Sequence, residues 1–305
     1  MLGAVPAQRG LCPSHAGTKG TAPFGDSPRT NVPRMVGFLS AGAAVAAAGL
    51  AWGWFEAGWA RLRTVEVAVD GLPEELDGLR VAHLSDFHLG MPSGGVRAVR
   101  RAVEWVEERQ PDLVVVTGDL LTHPRGERRL RELVARLGPR CYAVLGNHDF
   151  GDSRDPLASP SELREIAPAR LLRDDSAEVD VRGRRVQIVG VDPPSYLAGR
   201  SNVNARADRA ADLRILLCHY PYVFERLEPG AYHLVLAGHL HDGQIAIPYG
   251  LGKVRLAHFS WRYTKGFYRR DGAVLHVSPG LGTTFVPFRF FARPEATELT
   301  LRSAR

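Results

Sequence analysis

Short apolar runs and amphipathic stretches alternate along the first half of the chain, and their periods predict its elements. Val65, Val67 and Val69 alternate with polar neighbours, which predicts a half-buried strand before Gly71-Leu72-Pro73. Residues 79–84 read as a second strand. Val96, Val99, Val103 and Val106 then fall on one face of a helix that stops at Pro111. Residues 113–116 are wholly apolar and short, a strand covered on both faces. Leu130, Leu133, Val134 and Leu137 mark a second amphipathic helix, and residues 142–145 another buried strand. Strand, helix, strand, helix, strand implies parallel βαβ units with right-handed crossovers.

The pattern is less regular further on. A polar loop to about Pro160 leads into a short helix from Ser161, and residues 177–181 and 185–191 flank Arg182-Gly183-Arg184 as an antiparallel hairpin. Residues 192–212 read as a loop with a short helix. Residues 215–218 and 234–237 are two more apolar strands, and the passage from Gln244 to Leu301 predicts a second, mostly antiparallel sheet ending near 297–301. There is no internal repeat.

At the other end, residues 1–34 hold five prolines and five glycines, a composition that buries too little apolar surface to fold alone. They are expected to be a disordered tail, or to precede a true start at Met35. Residues 35–55 carry no charge, and Trp52, Trp54 and Trp59 cluster with Phe55 at the end of that run as an interfacial belt would. A transmembrane anchor over 35–60 is preferred to a cleaved signal sequence and to a core helix. The expected localisation is therefore a membrane, or export if the segment is removed. The globular domain is placed at 64–305.

Composition adds a constraint. Hydrophobic residues make up 45% and charged residues 24% of the 305, which are globular values. The net charge of +6 would suggest a nucleic-acid partner, but residues 1–63 hold six basic side chains against two acidic ones, so the body is nearly balanced and no nucleic acid is expected. Cys12, Cys141 and Cys218 are odd in number and far apart, which excludes a disulfide framework and a zinc knuckle.

The candidate chemistry stands at strand ends. The run Tyr142-Ala143-Val144-Leu145 stops at Gly146 and then presents Asn147, His148 and Asp149. Four other apolar runs end in Ser85-Asp86-Phe87-His88, in Gly118-Asp119, in His219 and in Gly238-His239-Leu240-His241. Alone, each has a bland reading as a helix cap or a hydrogen-bonded histidine. Together, eight such side chains at the carboxyl edge of a sheet would each cost several kcal/mol to desolvate without a partner. Carboxylate oxygen, imidazole nitrogen and one amide oxygen suit Mn, Fe or Zn. There are too many ligands for one tetrahedral ion, so two divalent ions bridged by one carboxylate are the economical arrangement.

These five ordered motifs resemble the calcineurin-like metallophosphoesterase superfamily over about residues 78–245. Gly243-Gln244, Ile247-Pro248, Gly266-Phe267-Tyr268, Ser278-Pro279-Gly280-Leu281-Gly282, Arg289 and Pro294-Glu295 are similar to the bacterial branch that contains the YkuE and YaeI phosphodiesterases. The resemblance implies an α/β fold, a four-layer α/β/β/α sandwich of two mixed sheets flanked by helices, on the membrane helix. It implies hydrolysis of a phosphoester, by preference a diester, by a hydroxide bridging two metal ions, with manganese favoured. Asp86, His88 and His241 would hold one metal, Asn147, His219 and His239 the other, and Asp119 would bridge them. His148 would donate a proton to the leaving group while Asp149 orients its ring. Asp242 departs from the glycine usual in that branch. A membrane segment beside the site makes a lipid-linked substrate such as UDP-2,3-diacylglucosamine the alternative among enzymes. A silent scaffold of the same fold is the rival from another class. His15, His83, His123, His233, His258 and His276 complete no motif and are assigned to structure.

Overall fold

Two strands carry the logic of the fold, β2 (Arg80–Leu84) and β3 (Leu113–Thr117), because both of their faces are covered. Their side chains alternate between two cores. Ala82, Leu84, Val114 and Val116 pack with Val99, Val103, Leu130 and Val134 from the helices α2 (Gly95–Arg109) and α3 (Glu127–Ala135). Val81, Leu113 and Val115 pack the opposite way, against Ile188, Ile215, Leu217 and Leu236 of a second sheet. A strand buried on both sides has no polar alternation, which is why β3 is apolar up to Thr117 and the His83 of β2 is buried against a partner.

The computed structural model describes residues 32–250, 252–257 and 261–304, with the backbone alone for 32–40. The first sheet has the order β1-β14-β2-β3-β4-β5, with β1 (Arg61–Val69), β4 (Cys141–Val144), β5 (Arg170–Leu171) and β14 (Glu295–Ser303). The second has the order β12-β13-β9-β8-β7-β6, built from β6 (Ser176–Val181), β7 (Arg184–Val191), β8 (Leu213–Cys218), β9 (Leu234–Ala237), β12 (Gly266–Arg270) and β13 (Ala273–Val277). Both sheets are mixed. Between β9 and β12 a two-stranded hairpin, β10 (Ala246–Tyr249) with β11 (Gly252–Arg255), stands apart from both. The outer face of the second sheet is covered by the short helix α4 (Pro193–Leu197) and single turns that bring Tyr196, Phe224 and Tyr232 onto Leu216, Val235 and Leu275.

The βαβ units, the 177–191 hairpin and the two-sheet architecture agree with the sequence reading. The strand ends do not share one sheet, because β2, β3 and β4 belong to the first and β8 and β9 to the second. The last strand, β14, is not in the second sheet either; it inserts between β1 and β2, parallel to one and antiparallel to the other. No helix starts at Ser161. The backbone N–H of Ser161 donates to Asp149 O at 3.0 Å, and Leu163 and Ile166 are drawn into the outer core, so the segment is held as an extended strap.

Of the expected irregular tail, residues 1–31, with Cys12 and His15, lie outside the described residues, as does His258, while 32–34 already belong to α1 (Val32–Ala57). Among the described residues no helix is long and apolar enough to cross a membrane. The body takes in more of the expected anchor than its sequence suggested, for Ala46–Arg305 forms one compact unit, whereas the helix up to Val45 belongs to another. Glu56, inside the segment, is buried and accepts from Ala292 N at 2.8 Å, and Gly53 O accepts from Arg289 N at 3.0 Å. Docking of this last turn satisfies a charge that lipid would not.

Candidate metal centre

The two sheets meet at the carboxyl ends of β2, β3, β4, β8 and β9, and there the chain leaves regular structure. Asp86, His88, Asp119, His239 and His241 all have positive φ, between 47° and 80°. Left-handed backbone at a non-glycine residue costs of order 1–3 kcal/mol and persists only where surrounding contacts over-determine it. It turns each side chain back over the strand end. Two glycines make the turns possible. A Cβ at Gly146 would collide with Asp119, and one at Gly238 with Ser85 and Asp86.

Seven side chains converge in two groups that share Asp119. Ligand atoms of Asp86, His88, Asp119 and His241 lie within 4.8 Å of one another, and so do those of Asp119, His219 and His239. Asp119 Oδ2 is 3.4 Å from His88 Nε2 in the first group and 3.2 Å from His219 Nε2 in the second. His241 Nε2 lies 3.0 Å from His88 Nε2 and 3.4 Å from Asp86 Oδ1. Asn147 Oδ1 joins the second group, 3.1 Å from His219 Nε2.

The donor set can be tested for its fit to cations by asking which atoms are fixed as lone-pair donors. His219 Nδ1 faces Thr117 O at 3.0 Å, so that nitrogen carries the hydrogen and Nε2 is bare in the neutral ring. Asn147 donates through Nδ2 to Asp152 O at 2.8 Å, which turns its carbonyl oxygen inward. Asp119 supplies a carboxylate. A bare nitrogen, a carbonyl oxygen and a carboxylate oxygen thus point at one another, and only a cation or a proton between them makes that favourable. Burial opposes charge on His219, yet the neighbouring Asp119 outweighs it and lifts the imidazole to about 9. The residues fit a pair of divalent ions.

Outer contacts fix the ligands. The fully buried Arg289 donates to the carbonyls of Pro279, Gly282 and Ala292, and its Nη2 stands 3.0 Å from His241 Nδ1. The Gly280-Leu281-Gly282 segment braces the Asp86 turn, with Leu281 N donating to Ser85 O at 3.0 Å and Gly282 N to Asp86 O at 2.6 Å.

His148 sits beside both groups, its ring 4.6 Å from that of His88 and its backbone N–H donating to Asp119 Oδ1 at 2.9 Å. The expected partnership with Asp149 is not found. Asp149 accepts instead from the backbone N–H groups of Gly146, Leu120 and Leu121 at 2.9–3.1 Å, tying the β4 turn to the β3 turn. Burial, with Asp119 nearby, raises its carboxyl to about 7 in spite of those bonds. The groups that face His148 Nε2 are Ser153 Oγ at 3.0 Å and Thr284 Oγ1 at 3.3 Å, and Thr284 donates to the buried Asp155 at 3.1 Å. A hydroxyl that gives its hydrogen to a carboxylate can only accept from the ring, so Thr284 favours the His148 tautomer with its hydrogen on Nε2, while the Ser153 hydroxyl suits either tautomer. No motif marks these three residues in the sequence.

Asp242 is buried and paired with Lys253 and, at 2.8 Å, with Arg255. Among the excluded histidines, His83 and His276 form a buried pair between the sheets, Nδ1 to Nδ1 at 2.8 Å, and His233 backs Arg214. Above the ligands opens a cleft of about 730 Å³, walled by Asp119, Asn147, His148 and Tyr220 and rimmed by Leu256, Phe285 and Val286.

Comparison with known proteins agrees with this geometry. The chain is 29% identical over 287 residues to the metallophosphoesterase YkuE of Bacillus subtilis (strain 168), covering 88% of this chain and 95% of that one. It is 25% identical over 276 residues to phosphodiesterase YaeI of Escherichia coli (strain K12), covering 87% and 97%. It is 24% identical over 320 residues to UDP-2,3-diacylglucosamine pyrophosphatase LpxG of Chlamydia muridarum (strain MoPn / Nigg), covering 84% and 94%. The model of the calcineurin-like phosphoesterases matches residues 79–243, a span that holds every one of the converging ligands, and the chain belongs to that family.

Proposed function

We propose that this metallophosphoesterase is a phosphodiesterase attached to a membrane. Its two divalent ions, manganese by preference, would be held by Asp86, His88 and His241 and by Asn147, His219 and His239, with Asp119 shared. The observation that carries the reading is the convergence of His219 Nε2, Asn147 Oδ1 and Asp119 Oδ2, each fixed as a lone-pair donor. When bound, the ions supply charge for a phosphoryl oxygen and lower the pKa of water.

The chain's own residues supply the rest. Asn147 adds a ligand without adding charge, which keeps the site attractive to an anion. His148 presents Nε2 on the cleft side, where a proton carried on that nitrogen is in reach of the oxygen that leaves phosphorus. Ser153 and Thr284 keep the ring turned that way. Leu256, Phe285 and Val286 form an apolar rim suited to the second organic arm of a diester, which a monoester dianion lacks. The relative named as a phosphodiesterase supports the same preference.

Attachment to a membrane rests on the uncharged run 35–55 and on the exposed Trp52 and Phe55 at its end and Trp59 just past it. With the pyrophosphatase among the relatives, these features also favour a second reading, hydrolysis of a lipid-linked nucleotide at the same centre.

One preparation of the full chain in detergent tests these readings. Metal analysis should give two ions per chain. With manganese, bis-p-nitrophenyl phosphate should turn over faster than p-nitrophenyl phosphate. A faster monoester reaction would overturn the diester assignment, UDP-2,3-diacylglucosamine as the best substrate would select the second reading, and a loaded protein without turnover would indicate a scaffold.

A further inference from the structure

A hairpin on a water-soluble surface turns its apolar side chains inward and its charges outward, because successive residues of a strand face opposite ways. The β10–β11 hairpin does the reverse. Lys253 and Arg255 turn inward and grip the buried Asp242, and Lys253 Nζ also donates to Phe291 O at 2.9 Å. Ile247 and Val254 are cross-strand partners on the other face. With Tyr249 and Leu256 they are between 50% and 58% exposed. Asp242 therefore does more than balance charge: it keeps the cations of the hairpin away from the surface.

Neighbouring segments extend this apolar face, and hydrogen bonds to their main-chain carbonyls lock them to it. Ala246 N donates to Phe290 O at 2.9 Å, and the Gln244 amide donates to Thr284 O at 2.8 Å and Val286 O at 3.1 Å. That loop holds Phe285 and Phe291 out, each more than half exposed. Phe288 meets the ring of Trp54, 6.3 Å away, at the end of α1. Apolar groups so held cannot fold back onto the body, and a contiguous set of them marks an interaction surface.

We propose that this surface docks on a lipid bilayer and sets the mouth of the catalytic cleft against the headgroups. Three observations select lipid over a protein partner. Tyr249, Trp52 and Trp59, with Arg293 stacked 3.6 Å over Trp59, have the composition of an interfacial belt. The uncharged run 35–55 lies in α1, the helix that carries Trp52. Leu256, Phe285 and Val286 belong both to this face and to the cleft rim, so a docked cleft opens at the membrane surface. The inference rests on the membrane reading of the preceding section and adds a second contact, independent of the helix.

A polarity-sensitive fluorophore tests the contact. Cys141 and Cys218 are buried, so the full chain with Cys12→Ser can be labelled at Val254→Cys, with Leu50→Cys on α1 and Arg128→Cys on α3 as references. The protein is placed at one copy per nanodisc of phosphatidylcholine and phosphatidylglycerol. The Val254 label should shift to the blue and be quenched by doxyl lipid, as the Arg128 label is not. A Val254 label in water beside a Leu50 label in lipid overturns the docking and leaves the anchor standing; both labels in water overturn both. A Val254 label that is buried only when copies crowd in one vesicle identifies a second chain as the occupant and also overturns the proposal. As a second readout, Ile247→Ser/Val254→Ser should keep its rate on soluble bis-p-nitrophenyl phosphate and lose about tenfold on an acyl-chain diester in vesicles. Equal loss on both substrates would count against docking.

Discussion

Asp119 is the residue on which both halves of the site depend, since its Oδ2 faces His88 on one side and His219 on the other. Asp119→Ala should therefore lose both ions and activity together, measured by metal analysis beside turnover. His148→Ala removes a proton donor that is not among the converging ligands, so it should keep both ions and lose about 10²–10⁴ in kcat. Loss of metal from that variant would move His148 into the ligand set. Thr284→Val should keep the ions and lower kcat by about tenfold with KM little changed, because it removes the hydroxyl that ties the ring to Asp155 and leaves Ser153 as the one remaining contact at Nε2; Thr284→Ser should restore the rate. The convergence of these side chains was legible in the sequence because imidazoles and carboxylates at the ends of apolar runs have no cheap alternative role. Thr284 was not, since it lies 136 residues from His148 and a threonine in a loop carries no signal. Asp149 misled for the opposite reason. Neighbours in sequence diverge in a tight turn, and its carboxylate is used by three backbone amides.

Among elements, β2, β3 and β4 were readable because short, mostly apolar runs bounded by turn residues have few other fates. Which sheet a strand joins was not, for β4 and β8 have the same pattern and differ only in their partners. The left-handed turns at the strand ends were equally hidden, being imposed by contacts between motifs far apart. The β10–β11 hairpin shows how far one element departs from its local pattern. Ile247, Tyr249 and Val254 alternate as a strand should, but the face they mark is the exposed one, because Asp242 holds the other. Asp242→Ala would leave Lys253 and Arg255 half-buried without their partner. Removing one member of a fully buried pair costs about 3–5 kcal/mol. These cations keep a quarter or more of their side chains in water, so about 1–3 kcal/mol is expected here. Hydrogen exchange should quicken in Ala246–Tyr249 and Gly252–Arg255 while β2 and β3 stay protected. Uniform deprotection would mean that Asp242 supports the whole body.

At the scale of the molecule, the converging side chains come from both sheets. Asp86, His88, Asp119 and Asn147 follow strands of the first, and His219, His239 and His241 strands of the second. Any ion that takes His88 with His241, or Asn147 with His219, joins the sheets at the edge where their shared apolar core ends. Both sheets are also joined by the His83–His276 pair and by that core, so the fold does not depend on metal alone. Metal should then act as a stabiliser by mass action. An ion at a hundred times its Kd adds about 2.7 kcal/mol to the folded state. At about 2–4 °C per kcal/mol for a body of this size, one site is worth roughly 5–10 °C in Tm and two sites more. Chelation should lower Tm by that amount, manganese should restore it, and Asp119→Ala should sit at the chelated value with or without manganese. His148→Ala should respond as the parent does. If chelator strips both ions, as metal analysis would show, and Tm does not move, the unfolded chain binds the metal as well as the folded one. The ions would then be bound without joining the sheets.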